Sequence, residues 1–498
     1  MHAQEELYSQ YKNSMQKLAD VKYAAAVLQW DQETYLPKKG ADFRGRQLAT
    51  LSEVAHGMFT DDKNGKLLQE LLLKDLSQEQ KRNVELTWED YSRQKKLTPA
   101  FVRKMSEAVS ASFFAWVEAR KQNDYQVFEP KLSLLVDLKR QEAERYGYEA
   151  HPYDALMDEY EKGATVKMVD KIFEDVKVPL RQLLQEVQDV QSGDDSFLRQ
   201  FYPKQQQWKW GIYLAKQLGF DFESGRQDIS EHPFTTNFSS QDVRITTRVD
   251  EHDFANMTWS TIHEVGHALY EQGLPAEQYG LPLGEYASLS MHESQSRLWE
   301  NCVGRATAFW NYYYPKLVEF FPVQFKSISE NQFLKAINKV QPSLIRTEAD
   351  ELTYHSHVMV RYELEKRLIE GSLQVKEIPL YWNDQYKTLL GVDVPDDKRG
   401  CLQDVHWSHG SFGYFATYSL GSFYAAQLWQ QAKKDIAGLE IEIAKEGRTD
   451  SLLGWLRTNV HKHGRFYESE ALCNLVTGKN LDSTVFVSYL REKLNNLQ

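Results

Sequence analysis

The stretch His263-Glu264-Val265-Gly266-His267 places two imidazoles four residues apart, with a carboxylate directly after the first. On a helix, residues four apart lie one turn apart on one face, so both rings can reach a single ion. Glu264 is turned about 100° from His263 and flanks the ion, a position suited to a general base acting on a water at the metal. Gly266 removes a side chain beside the pair and would let a neighbouring helix approach. The competing reading is a core histidine pair on an amphipathic helix.

A third ligand separates the two readings, because catalytic zinc takes three protein ligands and keeps one position open. Downstream, "EYASLSMHESQSRLWEN" is again helical in pattern and carries Glu293. A helix–loop–helix of that span brings the second helix back antiparallel beside the first, where Glu293 completes a His263, His267, Glu293 set. Its neighbour His292 is the rival ligand, but it points about 100° away on the helix, which favours Glu293.

The elements that must hold these residues read as mostly helical. Apolar residues recur at three-and-four spacing in "DLSQEQKRNVELTWEDYSRQKKL" (75–97) and in "KMVDKIFEDVKVPLRQLLQEVQDV" (167–190), the latter interrupted by Pro179. Trp259 to Gln272 reads as the helix of the histidine pair, with Gly273 and Pro275 as its stop. Phe234 to Asp253 differs: its Thr and Val content and near-alternating polarity predict a short hairpin turning near Ser239 and Ser240. Such a strand at the edge of a cleft could pair with an extended peptide.

Whole-chain properties bound the function. The 498 residues are 42% hydrophobic and 26% charged, an ordinary globular composition. The net charge of −12 and the lack of a Lys/Arg stripe argue against nucleic acid as a partner. Cys302, Cys401 and Cys473 are few, odd in number and far apart, which fits a reducing compartment. There is no signal-peptide-like apolar segment near the start and no run approaching the roughly 20 residues needed to cross a bilayer. The expected location is cytoplasmic, with no membrane partner.

Several further motifs appear in a fixed order: "HPF" at His232–Phe234, "DVRIT" at Asp242–Thr246, the HEVGH segment, "HESQ" at His292–Gln295, "IRTEAD" at Ile345–Asp350 and "GCLQDVHW" at Gly400–Trp407, with "LQWDQETYLPKKGA" near the N-terminus. With these the chain resembles the Taq-type metallocarboxypeptidases, peptidase family M32. The resemblance covers essentially the whole chain. It implies a mostly α fold with a large helical body, a central substrate groove and a small β-sheet near the metal site. It implies a single catalytic domain over 1–498, whose N-terminal helical part, roughly 1–110, would cover the groove. It also implies a cytosolic homodimer, Zn2+ as the usual metal with Co2+ possible, and removal of residues from the C-termini of peptides.

Two site assignments lean on that resemblance. Arg346 would bind the terminal carboxylate of the substrate, since guanidinium holds carboxylates bidentately; on a helix its i,i+4 neighbour Asp350 could pair with it and orient it. His406 and Tyr414, in the glycine- and aromatic-rich "QDVHWSHGSFGYFATY", would stabilise negative charge developing on the reacting carbonyl; their structural alternative is aromatic packing. Gln403 and Asp404 would support from behind. Arg244 and His232 read as structural or at the groove edge, and Tyr354, His355 and His357 as packing. The alternatives to a carboxypeptidase are a related helical zinc oligoendopeptidase or dipeptidyl carboxypeptidase, and, further off, a non-catalytic helical binding protein.

Overall fold

The computed structural model describes residues 2–188 and 194–497. Helices dominate it, and their starts follow local chemistry. Asp61 caps the helix Asp62–Leu72, and Thr98 caps Pro99–Gln122, where proline takes the first position because no hydrogen bond is needed from its nitrogen. Gln78–Lys95 forms within the first stretch of helical spacing. In the second, one helix spans Val166–Gln188 and runs through Pro179 without ending there. Its buried face (Val169, Phe173, Val176, Leu180, Leu183) stays apolar on both sides of the proline, so packing overrides the lost backbone bond. The last residues of that stretch, 189 and 190, lie outside the described residues.

The chain divides into two compact units, each assembled from separated segments: Met1–Lys95, Asp194–Ile337 and Tyr424–Leu481 in the first, Lys96–Gly193, Asn338–Phe423 and Asp482–Gln498 in the second. The first unit carries the HEVGH segment. Its N-terminal helices bury Tyr11, Met15, Leu18, Leu68, Leu71 and Val84 in one cluster. A second, aromatic cluster joins Tyr202, Phe254, Phe321, Phe325 and Phe333, with ring centroids 5.1–6.4 Å apart and many edge-to-face pairs. Phe254 opens the HEVGH helix, so this cluster fixes that helix at its root.

The same unit holds a three-stranded sheet in the order β1-β3-β2, with β1 Gly225–Ile229, β2 Thr235–Ser239 and β3 Asp242–Thr247. The predicted hairpin is β2 and β3, antiparallel, with its turn at residues 240–241 and an irregular register between Asn237 and Ser239. Strand β1, which pairs parallel to β3, has no counterpart in the sequence reading. Its sequence, GRQDI, is too polar to signal a strand, and it is held by the ladder and by Gln227 donating to Thr261 of the HEVGH helix. β1 and β2 are both edges.

In the second unit the helix Tyr354–Glu370 packs against Ile378–Leu390, Pro152–Met157 and Glu129–Tyr146. The three cysteines are buried and none is joined in a disulfide. Among the described residues no helix is long and apolar enough to cross a membrane.

Candidate metal centre

The HEVGH helix spans Phe254–Glu271. It begins five residues before the expected Trp259 because the Asp253 side chain caps it, accepting from the Asn256 amide at 3.2 Å. Leu289–Arg297 follows, capped by Ser288, which accepts from the Met291 amide at 3.0 Å. The two helices meet at Gly266. A Cβ there would lie 2.6 Å from Ser296 Cα and 2.9 Å from Gln295 O, so only glycine permits the approach.

That approach brings Glu293 to the histidine pair. Its Oε2 lies 3.9 Å from His263 Nε2 and 3.6 Å from His267 Nε2. The three ligand atoms fall within 4.8 Å of one another. In a tetrahedral zinc site with bonds of 2.0–2.1 Å, ligand atoms stand roughly 3.3 Å apart, so these atoms would have to draw together around a bound ion. The other ring nitrogens are already engaged: His263 Nδ1 with Glu300 Oε2 at 2.9 Å, and His267 Nδ1 with the His292 carbonyl at 3.0 Å. Both Nε2 lone pairs are thereby directed toward Glu293. The two nitrogens and one carboxylate oxygen fit a divalent metal.

His292, the rival ligand, is turned away. Its Nε2 bonds Glu271 Oε1 at 2.8 Å, and its ring stacks on His267 at 4.4 Å. Asn237 of β2 donates to the other oxygen of Glu271 at 2.5 Å.

Glu264 is buried and faces the sheet. The Thr235 hydroxyl of β2 lies 2.5 Å from its Oε2 and 3.1 Å from its carbonyl oxygen. Burial raises its pKa, against the pull of His263 and Thr235. Burial also works against ionisation of Glu300, but Arg297, His263 and Arg305 outweigh it and hold that carboxyl well below the usual range.

A separate cluster lies in the second unit. Arg346 sits in a single turn of 3-10 helix, Arg346–Glu348, and not on the regular helix expected. Asp350 does not orient it. Asp350 instead accepts from the amides of Gln341, Leu352 and Thr353 and from the Thr353 hydroxyl, shaping the loop that enters the next helix. Asp404 takes the orienting role, accepting Arg346 Nε at 3.0 Å and Nη2 at 2.9 Å, while Nη1 reaches the Tyr354 hydroxyl at 3.0 Å. Asp404 also accepts Arg361 Nε at 2.6 Å, and Gln403 Oε1 accepts both the Arg346 amide and Arg361 Nη2.

His406 bonds the Tyr418 hydroxyl through Nε2 at 3.2 Å, and its buried Nδ1 has no hydrogen-bond partner among the described residues. Burial, set against the Asp404 charge and aided by the two arginines, lowers its pKa to about 4, so the ring is neutral near pH 7. Tyr414 packs edge-on to Tyr160 and lies 5.5 Å, centroid to centroid, from His406. His355 and His357 are buried and bonded to Ser419 and Tyr386. Arg244 pairs with Asp242 and lies over Trp30, and His232 is exposed.

Sequence reading missed Thr235, Glu300, Arg297 and Arg361. Arg297 and Glu300 stand four and seven residues after Glu293, a spacing that puts all three on one helix face. Thr235 directly follows the HPF motif. Arg361 lies four residues past His357 and carries no signal apart from its total burial.

Comparison with known proteins agrees with this geometry. The profile of the Carboxypeptidase Taq (M32) metallopeptidase family matches residues 10–494. Carboxypeptidase 1 of Bacillus subtilis is 38% identical over 488 residues, covering 97% of this chain and 97% of that protein. The crystal structure of an M32 carboxypeptidase from Deinococcus radiodurans superposes with a TM-score of 0.97 at 39% identity, covering 99% of each chain. A solved structure described as "The Structure of CHT" gives a TM-score of 0.97 at 56% identity, over 98% of this chain and 99% of that one. With His263, His267 and Glu293 gathered at one point and the family profile matched almost from end to end, this chain belongs to the Carboxypeptidase Taq (M32) metallopeptidase family.

Proposed function

We propose zinc as the resident metal, and a free peptide C-terminus as the feature this metal-dependent carboxypeptidase reads in its substrate. The carrying observation is the convergence of His263 Nε2, His267 Nε2 and Glu293 Oε2, a donor set suited to zinc and tolerant of cobalt. A bound divalent ion would supply Lewis-acid polarisation of the scissile carbonyl and make water a nucleophile near neutral pH.

The remaining chemistry falls to the chain. Glu264 takes the proton of the attacking water and passes it to the departing amine. Thr235 holds one carboxylate oxygen of Glu264, which leaves the other for that exchange. Burial raises the Glu264 pKa toward the working range of a group that must both accept and return a proton. His406, neutral, and Tyr414 serve as donors to the oxygen on which charge develops.

Arg346 is the cation for the terminal carboxylate. Its cluster supports this by charge: Arg346 and Arg361 carry two positive charges against one on Asp404. Among the described residues, three of the five guanidinium N–H groups of Arg346 are engaged, two by Asp404 and one by Tyr354, which leaves two. The family resemblance further supports a cytosolic homodimer.

The test compares one peptide as free acid and as C-terminal amide, followed by mass spectrometry with the zinc-loaded protein. A ladder from the C-terminus of the free acid, with the amide resistant, is expected. Arg346→Ala should lower kcat/KM for the free acid by about 2–4 kcal/mol in transition-state terms and change the amide little, since that contact is already absent. Internal cleavage of the amide would favour the oligoendopeptidase alternative. Equal losses on both peptides would make Arg346 structural.

A further inference from the structure

We infer that Glu300 and Arg297 form a clamp that fixes His263 and Glu293 as metal ligands, with Glu300 acting as a positioning residue for the His263 ring. Glu300 lies in a π-helical turn, Leu298–Val303, that continues directly from the helix bearing Glu293, and all six residues of the turn are buried. Such turns interrupt a helix at a cost and concentrate at functional sites.

The bonds of this turn are specific. Glu300 Oε2 meets His263 Nδ1 at 2.9 Å and accepts from Arg297 Nη1 at 3.2 Å, while Oε1 accepts from Arg305 Nη2 at 3.4 Å. Arg297 Nε donates to Glu293 Oε1 at 2.6 Å, leaving Oε2 as the oxygen turned to the histidines. One arginine therefore ties the ligand carboxylate to the carboxylate behind the ligand imidazole. Arg305 is anchored in turn, donating to the Ile337 carbonyl at 2.6 Å and lying 4.5 Å over the Trp259 ring on the HEVGH helix.

A carboxylate accepting from Nδ1 keeps the proton there and leaves the Nε2 lone pair free for a cation. His267 is held differently, by a main-chain carbonyl that no substitution removes. The clamp is thus the part of the ligand support that side-chain replacement can test.

This inference rests on the proposed metal site, and the experiment separates the two. Zn2+ affinity is measured by competition with a chromophoric chelator for the full-length protein, for Glu300→Gln and for Glu300→Ala. Asp90→Asn serves as a control, because it disrupts another part-buried ion pair of the same unit, that with Arg465. The expected result is a loss of about 10–100-fold in affinity for both Glu300 variants, with the control unchanged. The Co2+-loaded Glu300 variants should also show an altered visible spectrum. On the unsubstituted, zinc-loaded protein with ring-labelled histidine, NMR should find the His263 proton on Nδ1, a readout that does not depend on any variant folding. Absence of zinc binding by the unsubstituted protein would refute the metal site itself. Tight zinc binding that is equal in the Glu300 variants, or equal losses in the control, would each overturn the clamp while leaving the metal site standing; a proton on His263 Nε2 would take that nitrogen out of the ligand set and overturn both.

Discussion

Glu264 and Glu293 are both buried carboxylates beside the same pair of histidines, yet their surroundings differ. Glu293 directs one oxygen at the two Nε2 atoms and gives the other to Arg297. Glu264 turns to the Thr235 hydroxyl on the neighbouring strand. Replacing Glu264 by Gln keeps the volume and removes the proposed base. Zinc stoichiometry should stay near that of the parent while kcat falls by roughly 10² to 10⁴. Metal analysis alongside steady-state kinetics checks both halves; loss of zinc with recovery of rate in excess metal would mean the two carboxylates have exchanged roles. Spacing along one helix is enough to bring His263 and His267 to one face, because helical geometry is local. Glu293 was reachable because one antiparallel return satisfies it. Asp404 as the partner of Arg346 is not legible in the sequence, since only tertiary folding brings the two together, whereas Asp350 stands at i+4. The loop that carries Arg346 is shaped by Asp350 bonding to backbone amides, a role that short polar residues often take and that spacing alone does not reveal.

At the scale of elements, the metal centre depends on two helices lying closer than side chains normally allow. Gly266 is the reason: any Cβ at that position would meet main-chain atoms of Gln295 and Ser296, which cannot rotate out of the way. Gly266→Ala should therefore force the helices apart. In a solvent-exposed helix the same change would stabilise by up to about 1 kcal/mol; here it should destabilise by about 1–3 kcal/mol, as overpacking does, and weaken zinc binding because Glu293 rides on the displaced helix. Thermal unfolding of the metal-free protein together with chelator competition measures both, and a neutral or stabilising result would show that the interface yields. The sequence gives the helices and the hairpin because apolar periodicity and alternation are written locally. It does not give strand β1, whose polar residues are held in place by pairing with β3, nor the π-helical turn, whose signature is not a matter of periodicity. Pro179 misleads for a related reason: a local helix breaker is tolerated where the face on either side remains buried.

Across the whole molecule, each compact unit is stitched from segments far apart in sequence, and long-range side-chain bonds are among the ties between them. In the second unit the C-terminal segment is tied back by Lys493 to Glu351 and Arg491 to Glu186. Glu365 makes the corresponding tie in the interior: its carboxylate accepts from the Tyr153 hydroxyl, the Trp407 indole and the Gly413 amide, joining one segment to the loop that carries His406 and Tyr414. Burial pushes its pKa up to about 7, although those three donors pull the other way. The sign follows from linkage. The folded protein holds this proton more tightly than the unfolded chain, so the stability it contributes is complete below about pH 4.5 and is lost as pH rises through 7. Glu365→Gln cannot ionise and lacks this dependence, whatever constant cost or gain the amide brings. Between pH 5 and 8 the stability of the parent relative to the variant should fall by about 2–3 kcal/mol. Calorimetric unfolding of both proteins at several pH values, in the metal-free state so that zinc release does not contribute, isolates that slope. A pH-independent difference would mean that the three donors keep Glu365 ionised throughout, and that its role in the loop is a fixed anionic anchor.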